Sequence, residues 1–163
     1  MKAADWKCVE KLAEGARLYH YKGCGLDDIY LVNGYELTKA SDGEEEICIN
    51  DLDGLHRTIG ERLVIHKKDL SGKELRFLRK QMDLTQSELA RFIGLSVQQV
   101  ARWEKNQCQI SGPADYMLRA LYLEEMQGKI SLRKFLKELD GTDTIMEKKQ
   151  LFTEEDDGWK AAA

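Results

Sequence analysis

The stretch Thr85 to Asn106, TQSELARFIGLSVQQVARWEKN, decides the fold. Thr85 and Glu88 have the spacing of a capping box, in which the hydroxyl takes an orphan amide of a new helix and the carboxylate reaches back, so a helix is predicted from Gln86. Leu89, Ala90 and Ile93 fall on one face of it. Gly94 follows, suited to the left-handed position that ends a helix without a Cβ penalty. Ser96 and Gln99 repeat the capping-box spacing and open a second helix with Val97, Val100 and Trp103 on its inner face. Two short helices thus share the tight turn Gly94-Leu95. Small Ala90 lets them approach, and Leu89, Ile93, Leu95, Val100 and Trp103 fill the space between them.

Outward from this pair the same signals recur. Ser71 and Glu74 predict a helix over Lys73 to Met82, with Leu75, Leu78 and Met82 inward and Arg76, Arg79 and Lys80 outward. Gly112-Pro113 places proline in the first turn of a helix running through Met126, with Met117, Leu118, Leu121 and Tyr122 apolar. Ser131 caps a fifth helix whose inward residues are Leu132, Phe135, Leu136 and Leu139. Residues 66–140 therefore read as an all-α, five-helix domain.

The glycine, the small residue, the apolar positions and the glutamine at the start of the first helix resemble the Xre, or Cro/repressor-type, helix-turn-helix family. The resemblance implies that the second helix enters the major groove of double-stranded DNA. Ser96 and Val97 at its tip, with Gln98 and Arg102 one turn apart on its solvent side, would then face base edges, where Gln suits adenine and Arg suits guanine. Gln86, Ser87, Lys105 and Asn106 would meet the DNA backbone. One motif covers only a few base pairs, so a homodimer on a palindromic operator is expected, its half-sites about one helical turn apart. The helices after the motif are expected to supply the dimer contact, from those of Leu121, Tyr122, Met126, Phe135 and Leu139 that the domain core, the expected place of most of them, does not take up.

Toward the N-terminus the pattern changes. Residues 1–16 carry Trp6, Val9 and Leu12 at helical spacing and read as an arm or short helix. From Arg17 the residues alternate, rich in β-branched and aromatic types, over Leu18 to Tyr21, Ile29 to Val32 and Tyr35 to Leu37. Asn33-Gly34 predicts a type I′ hairpin over Ile29 to Leu37, since both turn positions need positive φ. Ile47 to Ile49 adds a strand beyond the acidic loop Ser41 to Glu46. Leu52, Leu55, Ile59 and Leu63 mark one face of a covering helix. The expected fold class is an α+β N-terminal domain over 17–65 followed by the Xre-type domain. Residues 141–163, with the acids Glu154 to Asp157 and no sustained periodicity, are expected to be a largely disordered tail.

The overall charge is −4, yet residues 66–110 hold nine Lys or Arg against five acids, a net of +4 that leaves −8 elsewhere. A basic motif beside an acidic remainder fits one nucleic-acid face, and excludes a protein that coats nucleic acid indiscriminately. No apolar run reaches the roughly 20 residues of a membrane span, so a cytoplasmic protein with no membrane contact is expected. Cys8, Cys24, Cys48 and Cys108 lack a repeating spacing and are expected as reduced thiols.

The domain order, with Arg102-Trp103-Glu104-Lys105 at the end of the second helix, is also similar to the MqsA-type (YgiT-type) antitoxins of bacterial toxin-antitoxin loci. That likeness implies an autoregulating repressor that holds a small basic toxin through residues 17–65. The alternative is a free-standing Xre-type regulator whose N-terminal domain senses a ligand or redox state. Those antitoxins bind zinc through two Cys-x-x-Cys pairs, and this sequence has none, so no metal and no cofactor are expected. Neither HExxH, GxSxG nor a phosphate-cradling glycine loop is present, and Asp51, Asp53 and His56 are better suited to a helix N-terminus than to catalysis, so no enzyme is expected.

Overall fold

The computed structural model describes residues 18–39, 45–127 and 150–162. They form six strands, β1 (Tyr19–His20), β2 (Ile29–Leu31), β3 (Tyr35–Lys39), β4 (Glu45–Ile49), β5 (Gln150–Glu155) and β6 (Gly158–Ala162), and five helices. The helices are α1 (Leu52–His66), α2 (Gly72–Gln81), α3 (Gln86–Phe92), α4 (Val97–Glu104) and α5 (Gly112–Gln127). Glu45 and Glu46 of the expected acidic loop open β4. The expected arm 1–16, Ser41 to Glu44 of that loop and the expected fifth helix over 131–139 lie outside the described residues. So do Phe135 and Leu139 of the expected dimer contact.

The chain divides into two compact units. Among the described residues, the first holds 18–23, 27–39, 45–58 and 150–162, and the second holds 24–26 and 59–127. The division falls within α1, between Thr58 and Ile59, where the sequence suggested a boundary after Ile65.

The first unit is built on a four-stranded sheet of order β1-β2-β5-β6, with a separate two-stranded sheet of β3 and β4. Two expectations are corrected here. The hairpin is β3–β4, pairing Tyr35 with Ile49 and Leu37 with Ile47, and β2 is in the other sheet. A type I′ turn needs positive φ at both central residues, and Gly34 (+74°) has it while Asn33 does not. The Asn33 side chain serves pairing instead: Nδ2 donates to the Glu154 carbonyl at 3.1 Å, and Oδ1 accepts from the Glu154 amide at 2.7 Å and the Thr153 hydroxyl at 3.1 Å.

The second correction concerns the tail, since residues 150–162 are a hairpin and not disordered. β5 lies parallel to β2, with Leu31 opposite Phe152, and antiparallel to β6. Phe152 and Trp159 are buried with Ile29, Leu31 and Leu55. The indole N–H of Trp159 donates to the Asn50 carbonyl at 2.9 Å, and its ring lies so close to Gly34 that a Cβ there would meet it at 2.6 Å. The acidic cluster is distributed about the turn, where Lys160 pairs with Glu155 at 2.7 Å and Asp157 at 2.9 Å, hydrogen bonds that hold the ammonium above its usual pKa. Burial of two aromatic residues offsets the ordering entropy that a polar segment could not.

In the second unit Ile59, Leu63 and Val64 of α1 are buried together with Leu75, Phe77, Leu78, Leu118, Tyr122 and Leu123. Leu55, Ile59 and Leu63 are fully buried, as the spacing along α1 predicted, whereas Leu52, expected on the same face, is 42% exposed at the start of the helix. On α5 the buried stripe is rotated from the expected one: Leu118 and Tyr122 are inside, but Met117 is 48% exposed. Asp115 and Arg119 occupy the stripe. Arg119 is fully buried, and its guanidinium donates to Asp115 at 2.9 Å and to the carbonyls of Leu63, Val64, Lys67 and Lys68 at 2.7 to 3.2 Å. One cation therefore binds two carbonyls in the last turn of α1 and two just beyond it, where the negative end of the helix favours positive charge. Burial pushes the Asp115 carboxyl up, and Arg119 opposes that shift.

Candidate nucleic-acid interface

The interface is carried by α2, α3 and α4, each opened by a side-chain cap. Ser71 and Thr85 form full capping boxes with Glu74 and Glu88. The Thr85 amide and hydroxyl bond the Glu88 carboxylate at 2.8 and 2.7 Å and hold it below the usual carboxylate range. The third box is only half formed. Ser96 accepts from the Gln99 amide at 3.2 Å, but the Gln99 side chain turns inward and donates to Cys108 Sγ at 3.4 Å.

All three helices end alike. Gly94 has φ of +69°, its amide bonds the Arg91 carbonyl and the Leu95 amide bonds the Ala90 carbonyl, the paired bonds of a Schellman ending. Asp83 (φ +53°) and Asn106 (φ +54°) repeat this arrangement after α2 and α4, in residues that tolerate the left-handed region. Leu89, Ala90, Val100 and Trp103 are buried between the helices. Leu95 (41% exposed) and Val97 (40%) were expected in that space and lie outside it.

A buried ion pair fixes the arrangement. Arg79, expected on the outer face of α2, is buried, and its Nε and Nη2 donate to the two oxygens of Glu104 at 2.5 and 3.1 Å. Its Nη1 donates to the Leu84 carbonyl at 2.6 Å. Gln86 Nε2 donates to the same Glu104 carboxylate at 2.8 Å, so one side chain of α4 ties α2 to α3, while Arg79 itself holds the turn between them. A second clasp joins the end of α4 to the start of α2. Asn106 Oδ1 accepts from the Gly72 amide at 2.6 Å, and a Cβ on Gly72 would lie 2.3 Å from the Trp103 carbonyl oxygen.

Of the residues expected to meet bases, Ser96, Gln98 and Arg102 are exposed along α4, together with Val97. Of those expected at the backbone, Ser87 and Lys105 are exposed, while Gln86 is half-buried and engaged with Glu104. Asn106 is exposed overall but its side-chain Oδ1 is committed to the Gly72 amide. The outer faces add Arg76, Lys80 and Arg91, all exposed. Sequence reasoning missed the network of Arg79, Gln86 and Glu104, although one signal was present. Arg79 lies four residues after Leu75 and three before Met82, on the buried stripe itself.

Among the described residues no group of three or more His, Cys, Asp or Glu is placed to hold a metal ion, and no helix is long and apolar enough to cross a membrane.

No curated protein and no solved structure matches the chain. Residues 75–114, from the middle of α2 into α5, match the helix-turn-helix family model, the Xre type. This segment is a helix-turn-helix domain, and the match implies a sequence-specific DNA-binding transcriptional regulator.

Proposed function

We propose that the protein is a repressor that binds a palindromic operator as a homodimer, with Gln98 and Arg102 reading bases and Ser87 and Lys105 meeting phosphates. The observation that carries this reading is the exposure of Gln98 and Arg102, one turn apart on a helix held rigidly from behind by Glu104 and Asn106. A base-reading helix must be positioned to a fraction of an ångström, and a buried bidentate ion pair on its inner face supplies that rigidity. Two half-sites multiply the modest discrimination of one. The role has no catalytic step, and the protein acts in the cytoplasm.

The finer reading is an autoregulating antitoxin. It is supported by the charge of the first unit, whose described residues hold eleven Asp or Glu against four Lys or Arg, a net of −7. Such a surface repels phosphates and attracts a small basic protein. Binding of the full-length chain to the DNA upstream of its own gene tests the repressor reading. The expected result is a preference over scrambled duplex of 10³-fold or more, on the order found for specific sites. Equal affinity for both would contradict it.

A further inference from the structure

Val97 stands at the first position of α4, and the periodicity of the helix would turn it inward, yet 40% of it is exposed. Leu95, in the turn just before, is 41% exposed. The tip of the reading helix therefore presents carbon where its flanks present polar and basic groups. The one hydroxyl there, on Ser96, caps the helix by accepting from the Gln99 amide at 3.2 Å. Gln99 itself is turned away to Cys108.

A valine side chain can neither donate nor accept a hydrogen bond. Among the groups that base pairs display in the major groove, the 5-methyl of thymine is the apolar one. Valine is also held to one dominant rotamer in a helix, so its methyl groups are fixed in place and little side-chain entropy is lost on contact. We infer that Val97 reads a thymine 5-methyl group, beside the base edges read by Gln98 and Arg102. The inference rests on the DNA-reading role proposed for α4, and it adds a thymine at a defined place in each half-site.

The test uses the full-length chain and its own selected operator. Binding sites are enriched from random duplexes, and each thymine of the enriched site is then replaced by uracil, which differs only in lacking the methyl group. At one thymine per half-site the replacement should weaken binding by about fourfold, the worth of one buried methyl. In Val97→Ala the ratio of thymine to uracil affinity at that position should fall toward one. No sensitivity at any thymine, or a ratio unchanged in Val97→Ala, overturns the inference while leaving DNA reading intact. Failure of the parent chain to enrich any sequence overturns the DNA-reading role, and the inference with it.

Discussion

Glu104 receives the guanidinium of Arg79 in two parallel hydrogen bonds, at 2.5 and 3.1 Å, with the two side chains only 5% and 10% exposed. Charges buried this deeply are stable only as a pair, so removing either one leaves the other without compensation. Arg79→Met and Glu104→Leu should each cost about 3–5 kcal/mol of stability, while the double replacement should cost far less than the sum. Urea unfolding of the three variants measures this coupling. Additive losses would show that the pair does not act as a unit.

The clasp at the other end of α4 gives a second prediction. Gly72→Ala places a Cβ against the Trp103 and Glu104 carbonyl oxygens, at 2.3 and 2.7 Å, and neither backbone atom can rotate away. The strain should exceed the gain of about 1 kcal/mol that alanine usually brings to a helix, for a net loss of about 1–3 kcal/mol. Asn106→Gly keeps the positive φ and removes only the bond to the Gly72 amide, so its loss should be near 1 kcal/mol. Thermal midpoints rank the two, and a stabilised Gly72→Ala would refute the close approach.

A third prediction concerns acid. Burial pushes the His56 imidazole below its usual value of 6.5, with Asp53 pulling the other way, and Nε2 lies 2.9 Å from the Tyr21 hydroxyl. The folded chain holds this proton less tightly than the unfolded one. Its contribution to stability is therefore complete above pH about 6.5 and is lost as the pH falls toward the lowered value. His56→Gln should flatten the stability profile through that window. A variant as acid-sensitive as the parent there would assign the effect to other groups.

Arg119 supplies the fourth. Replacing it by methionine preserves bulk but leaves Asp115 and the carbonyls of Leu63, Val64, Lys67 and Lys68 without their donor. A loss of about 3–5 kcal/mol is expected, part of which Asp115→Asn in the same chain should restore by removing the stranded charge. Denaturant midpoints with unchanged m-values would show that stability alone has moved.

Much of the second unit was legible because its signals are local. The caps at Ser71 and Thr85, the left-handed Gly94 and the spacing of Ile59 and Leu63 each depend on residues within one or two turns. Arg79 and Arg119 were not read as buried, because their partners lie 25 residues away at Glu104 and more than 50 away at Leu63 to Lys68. Both sit on apolar stripes, and a cation in that position is the trace of a buried partner. The first unit was harder for the same reason. β2 pairs with a strand 121 residues later, a partner that neither the local turn signal at Asn33-Gly34 nor the polar composition of the tail betrays. Among the reading residues, exposure of Gln98 and Arg102 followed from their place on the helix, whereas the commitment of Gln86 and Asn106 to internal partners depends on contacts across the domain.

The most direct test of the central claim is the affinity of Gln98→Ala and Arg102→Ala for the enriched operator and for scrambled duplex, at one fixed salt concentration. Both side chains are exposed and outside the internal networks described above, so the fold should be retained. Each variant should lose about 1–3 kcal/mol of operator affinity, and discrimination should relax at one base pair. Two folded variants that bind the operator as tightly as the parent would contradict the account.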